Sequence, residues 1–299
     1  MVLDNGSKFP GEEVLLRGLY ELVNGEDKNS IAVNVFGRDW SQQSRVLKYF
    51  VNHVYDMFSD FVFDNVEWFH EQGLLAESAK AIENKIFEIS GRRFENFDIA
   101  MFIDCNCLAS NSVLNGPAGP GLGAPRWDRH YATAYYNGWK SHNGLKHQTV
   151  DIAHGITVDM HGPISLRRND MKLFSDSDIN ARLARVTTLS CFGDSIYPHL
   201  SNVCSYHKNL TTPVQEEENK LMKSVRISIE WNYATTRNIF RYLQNEHKLK
   251  IMESAVVSKV FVVCTILKNY RVCLYGCQSQ SYFSITLSAD MLEKYLHCY

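Results

Sequence analysis

The sequence predicts an α/β protein in two unlike parts, on three observations. Residues 11–90 carry apolar side chains at helical spacing almost throughout. Most of the strand-like segments fall in residues 97–165. Charge divides at nearly the same place. Residues 1–95 hold 10 basic and 16 acidic side chains, a net of -6. Residues 96–299 hold 21 and 17, a net of +4, which restores the total of -2. The predicted organisation is an all-helical region over 1–95 and an α/β domain over 96–299.

At 45% hydrophobic and 21% charged, the 299-residue chain has the composition of a globular protein. Its eight cysteines are too sparse for a disulfide scaffold and read as reduced, mostly buried thiols. Met1–Pro10 has no apolar core, so no signal peptide is expected. The most apolar run, Ala255–Leu267, is broken by Lys259 and too short for a bilayer, so no membrane partner is expected.

In chain order, the first helix spans Glu12–Val23, with Leu15, Leu16, Leu19, Tyr20 and Val23 periodic and Gly25 available as a left-handed cap. A short helix fits Ser30–Phe36. Ser41 is the expected N-cap of a third helix reaching about Phe58. Short helix, glycine turn and long helix give a helix-turn-helix outline over about 11–58. Gln42, Gln43, Arg45 and Lys48 then become candidate DNA contacts. A plain helical bundle with a solvated face fits the same spacing. A polar-faced helix is expected over about 75–89.

Three carboxylates carry the candidate chemistry. Ile99–Ile103 is an apolar run suited to a buried strand, and Asp104 ends it. Thr188–Gly193 is a second short strand closing on Asp194, with Gly193 allowing a close backbone approach and Pro198 stopping the strand. Glu230 borders the apolar stripe of a helix from Lys223 to about Gln244, one turn after Arg226. Each has an ordinary alternative: a strand-end turn for either aspartate, and an (i, i+4) surface ion pair for Arg226 and Glu230. Together the three suit two Mg²⁺ or Mn²⁺ ions, since hard cations take oxygen ligands. Clustered without metal, they would raise one another's pKa.

Between these acids, Asn115–Pro125 packs three prolines and four glycines into a loop. Tyr136, Gly138, Lys140 and His142 alternate as one face of a strand. Lys140, His142, Lys146 and His147 form a candidate phosphate-binding face, joined by Arg167 and Arg168. Asp170 is the expected N-cap of a helix to about Val186.

The chain resembles the PIF/Harbinger group of DDE transposases, which includes domesticated, Harbinger-derived nucleases. The resemblance is carried in order by Phe102-Ile-Asp104, Tyr136-Asn-Gly-Trp-Lys-Ser-His142, Leu145-Lys-His-Gln148, His161-Gly-Pro163, Arg167-Arg-Asn-Asp170, Gly193-Asp-Ser-Ile-Tyr-Pro198 and Ser224-Val-Arg-Ile-Ser-Ile-Glu-Trp231. The 35 residues between Asp194 and Glu230 match the family spacing. Two departures stand out. Cys105-Asn-Cys107 follows Asp104 where the family has Asp-Gly, and both cysteines read as structural, while the Gly/Pro loop is longer than expected.

The resemblance implies an RNase H-like catalytic core, a mixed central sheet flanked by helices, preceded by the helix-turn-helix region. It implies divalent-metal-dependent cleavage and joining of DNA, with Asp104, Asp194 and Glu230 as catalytic and metal-binding residues. The implied partners are terminal inverted repeats, a target site and a Myb-like helper protein, with a homo-oligomer allowed and the nucleus as location. The alternative is a domesticated, catalytically silent DNA-binding or adaptor protein keeping the same fold. A nuclease acting on RNA is the weaker third reading.

Overall fold

The computed structural model describes residues 3, 6–26, 30–93, 97–110, 134–244, 249 and 256–296. Helix α1 (Gly11–Asn24) ends on Gly25, whose φ of 61° and N–H to the Glu21 carbonyl make the expected left-handed cap. A single π-helical turn, Ile31–Val35, leads to α2 (Trp40–Phe58). The cap of α2 is Asp39, which accepts from the Ser41 N–H, and not Ser41 itself. The Asp39 carboxylate satisfies that exposed donor, which the Ser41 hydroxyl, two residues beyond the cap, is not placed to do. Helices α3 (Val66–Glu71) and α4 (Leu74–Ser90) complete the N-terminal part.

Strand β1 (Ile99–Ser110) does not stop at Asp104. It runs six residues further because β3 (His142–Ile152) pairs with it antiparallel without a break, from Met101↔Ile152 to Ser110↔Asn143. The polar residues after Asp104 hid this extension. Tyr136–His142 is not one strand: β2 (Tyr136–Asn137) turns back onto β3 as a hairpin, so its side chains do not share a face. Strand β4 (Thr157–Ser165) also pairs with β3. Helices α5 (Asp170–Ser177) and α6 (Ile179–Val186) replace the single helix expected there, broken at Asp178 with φ 50°. Asn169, not Asp170, is the cap, accepting from the Lys172 N–H at 2.8 Å.

Strands β5 (Ser190–Phe192) and β6 (Val203–Cys204) run parallel to β1 on its other side. The sheet order is β2-β3-β1-β5-β6, with β4 also on β3. Helix α7 (Pro213–Ile239) starts ten residues before Lys223, because Thr212 and Gln215 form a capping box with proline at the first turn. Helices α8 (Val257–Tyr275), α9 (Gln278–Phe283) and α10 (Met291–Leu296) follow. Among the described residues no helix is long and apolar enough to cross a membrane. Instead α8 is buried: Lys268 donates to the Gly155 carbonyl and Thr157 hydroxyl, and Asn269 to the Thr157 carbonyl.

Both faces of the sheet are covered. Phe102 and Phe192 pack with residues of α4, α7 and α9. Met101, Ile103, Val150 and Val158 pack with residues of α3, α6 and α10. Each fully buried aromatic or aliphatic side chain contributes about 2 kcal/mol. The N-terminal helices share these cores: α4 supplies both clusters, and α2 packs with α8. Ser78 on α4 donates to the Ala100 carbonyl and accepts from the Ala153 N–H, stitching the helix to β1 and β3. The Asn115–Pro125 loop lies outside the described residues.

Candidate active site

Register brings the two aspartates together. Phe102 of β1 stands opposite Phe192 of β5 in parallel pairing, and Asp104 and Asp194 each follow two residues later. Residues two apart on a strand share a face, so Asp104 lies on the Phe102 side, beneath α7. Gly193 is required between strand and acid. A Cβ there would sit 2.7 Å from Cγ of Tyr197 and 3.0 Å from Cγ2 of Ile103. Asp194 Oδ1 accepts the Ile196 N–H at 2.9 Å, which fixes the turn after the strand.

Helix α7 lays one stripe across β1: Arg226, Glu230, Tyr233 and Arg237, at spacings that return to one helical face. Arg226 donates to Asp104 Oδ2 at 3.1 Å, to Glu230 Oε1 at 3.2 Å and to the Tyr206 hydroxyl at 3.2 Å. Tyr233 donates to the Asp104 carbonyl at 3.0 Å, so the Thr149 hydroxyl at 2.7 Å must donate to Tyr233. Arg237 donates to Asn106 Oδ1 at 2.6 Å and the Cys107 carbonyl at 2.7 Å. Sequence reasoning missed the roles of Tyr206, Tyr233 and Arg237; the recurrence at 226, 230, 233 and 237 was the available signal.

Burial pushes the Asp104 carboxyl above its usual range, and Asp194 nearby pushes the same way. Arg226 and the Cys105 N–H, 2.8 Å from Asp104 Oδ1, pull it back. The Cys105 thiol is raised by burial and sits 3.5 Å from the Tyr197 hydroxyl, which suits a packing role. The Asp104 side chain is 22% exposed, Arg226 14% and Glu230 52%. Glu230 thus joins Asp104 through a guanidinium. Among the described residues no three His, Cys, Asp or Glu side chains form a cluster that could hold a metal ion. The oxygen donors of Asp104 and Asp194 fit a hard divalent cation in type. Arg226 meets the charge of Asp104 and Glu230 in this conformation.

A groove of about 500 Å³ opens beside Glu230 and is also lined by Asn106 and Arg237. Lys140 and His142 line this groove together with Glu230. Lys146 does not: it is buried, with its ammonium bound to the Asp170 carboxylate and the Arg168 carbonyl. His147 is also excluded from a phosphate face, being fully buried against the Phe261 ring. Arg167 and Arg168 are exposed on the turn after β4.

On α2, Arg45 and Lys48 are exposed along a shallow groove with Asn52 and His53, and Gln42 is half-buried. Gln43 is fully buried and does not reach a base edge. Its amide accepts from Arg17 at 2.8 Å and donates to Glu21 at 2.9 Å. Polar residues of α1 had made this inward-facing position of α2 hospitable to glutamine.

Residues 125–269 match the family model of the DDE superfamily endonucleases. The matched DDE endonuclease segment holds Asp194, Glu230 and the Arg226 stripe, and it starts after β1, so Asp104 enters the site by strand pairing alone. The DDE endonuclease similarity points to nuclease or transposase activity on DNA. No curated protein and no solved structure is similar enough to match.

Proposed function

We propose that the chain is a PIF/Harbinger-type DDE transposase or transposase-derived endonuclease that cuts and joins DNA phosphodiester bonds. The observation that carries this reading is the placement of Asp104 and Asp194 two residues beyond the registered pair Phe102 and Phe192. The strand arrangement, antiparallel β4-β3-β1 and parallel β1-β5-β6, supports an RNase H-like core.

Asp104 and Asp194 would hold Mg²⁺ or Mn²⁺, with Glu230 joining once Arg226 has turned away. Two such ions clamp the attacking and leaving oxygens of an in-line displacement. The chain's own residues prepare the site. Tyr233 fixes the β1 backbone at the acid and Arg237 fixes it two and three residues beyond, and Gly193 lets the Asp194 turn close on Tyr197. Lys140 and His142 bind phosphates entering the groove, and Arg167 and Arg168 extend that surface. Gln42, Arg45 and Lys48 of α2 form the face of the helix-turn-helix, and the net of -6 over residues 1–95 makes a basic Myb-like helper in the nucleus the fitting partner.

The silent, domesticated reading is favoured by one observation: Arg226 already satisfies Asp104 and Glu230 without a metal. Purified protein incubated with Mn²⁺ or Mg²⁺ and terminal-repeat DNA decides between them. Cutting that is lost in Asp194→Asn supports the enzyme. Cutting that survives in Asp194→Asn removes the assignment, and binding without cutting supports the silent form.

A further inference from the structure

We propose that Trp139 is a base-stacking residue for an unpaired DNA base beside the active-site groove, an inference that rests on the chain acting on DNA. Trp139 is 95% exposed, against a general tendency of tryptophan to be largely buried. It sits at the tip of the β2–β3 hairpin, between Gly138 and Lys140.

The tip is held in place. Asn137 accepts the Lys140 N–H at 3.0 Å and donates to the Leu166 carbonyl at 2.9 Å. That second bond ties the hairpin to the turn bearing Arg167 and Arg168. The backbone that carries the indole is thus held, with Lys140 next to it in the turn and two exposed arginines on the turn to which the hairpin is bonded. Lys140 also lines the groove that contains Glu230. Asp170, two residues after Arg168, binds Lys146.

Indole planes stack on bases of any sequence, and the surrounding cations suit the backbone on either side of a displaced base. A buried or paired tryptophan could not do this, and an exposed apolar residue without cations would suit a protein partner instead. The occupant expected here is therefore a single-stranded nucleotide next to the phosphate held in the groove.

Wild type, Trp139→Phe and Trp139→Ala can be titrated in EDTA against a labelled duplex and the same duplex with a short single-stranded tail. The tail should tighten binding to wild type, and Trp139→Ala should lose about tenfold of that gain. Trp139→Phe should keep most of it, and the plain duplex should bind all three proteins alike. Tryptophan fluorescence should be quenched by tailed DNA in wild type and much less in Trp139→Phe. A Trp139→Ala protein that binds tailed DNA like wild type, or that loses both DNA forms equally, overturns the proposal. Because EDTA removes the cations, absence of cutting in the metal assay counts against the nuclease and leaves this result standing.

Discussion

Arg226 spans Asp104 and Glu230, 3.1 Å from one carboxylate and 3.2 Å from the other, with its side chain only 14% exposed. The arginine occupies electrostatically what a divalent cation would otherwise neutralise. On the proposed function, a metal ion and the arginine would compete for the same negative charge.

Arg226→Met should therefore weaken the protein in EDTA by about 2 kcal/mol, since a mostly buried Asp104 loses its partner. Mn²⁺ should restore more stability to the variant than it adds to wild type. Thermal unfolding with and without Mn²⁺ checks this, and an equal Mn²⁺ response in both proteins would refute the competition.

Gly193→Ala should abolish cutting before it unfolds the chain. The added methyl collides with the Tyr197 ring and Ile103, and the cheapest relief is to move the turn that carries Asp194. Overpacking of this kind costs about 1–3 kcal/mol. A variant with normal cutting would show that the turn tolerates the shift.

Gln43→Ala should destabilise by about 2 kcal/mol or more, because Arg17 and Glu21 lose a buried partner. DNA affinity of the protein that remains folded should not change. Chemical denaturation together with a DNA titration separates the two effects; a selective loss of affinity would return Gln43 to the DNA face.

Burial pushes the His147 imidazole down to about 4, and His154 likewise. The unfolded chain takes a proton on each ring near pH 6.5. Their contribution to stability is present above pH 6.5 and is lost as pH falls toward 4, by about 3 kcal/mol per fully buried ring. Asp104 and Asp151, raised by burial, work in the opposite sense. Urea unfolding of wild type and His147→Phe at neutral and acid pH isolates the histidine: the variant should lose less on acidification, and parallel losses would refute it.

The two aspartates were legible because an apolar run leads into each, but their adjacency was not. It depends on pairing between segments 90 residues apart, which no local pattern encodes. Glu230 was legible as the border of a helical stripe; that Arg226 would turn to Asp104 followed only from where α7 lands. Gln43 and Lys146 misled for the opposite reason. Both look like solvent-facing polar residues, and both are buried by partners, Glu21 and Asp170, that lie more than 20 residues away in the chain.

Strand β1 outlasts β5: its pairing with β5 ends at Phe102, whereas its pairing with β3 continues to Ser110. Along that stretch the carbonyls of Asp104 and Cys107 are met by side chains of α7. Among the described residues no strand pairs with β1 beyond Phe102 on the β5 side, and side chains of α7 hold the strand there. Anything that lifts α7 exposes a template for intermolecular strand addition, so Tyr233 and Arg237 also protect the protein's solubility.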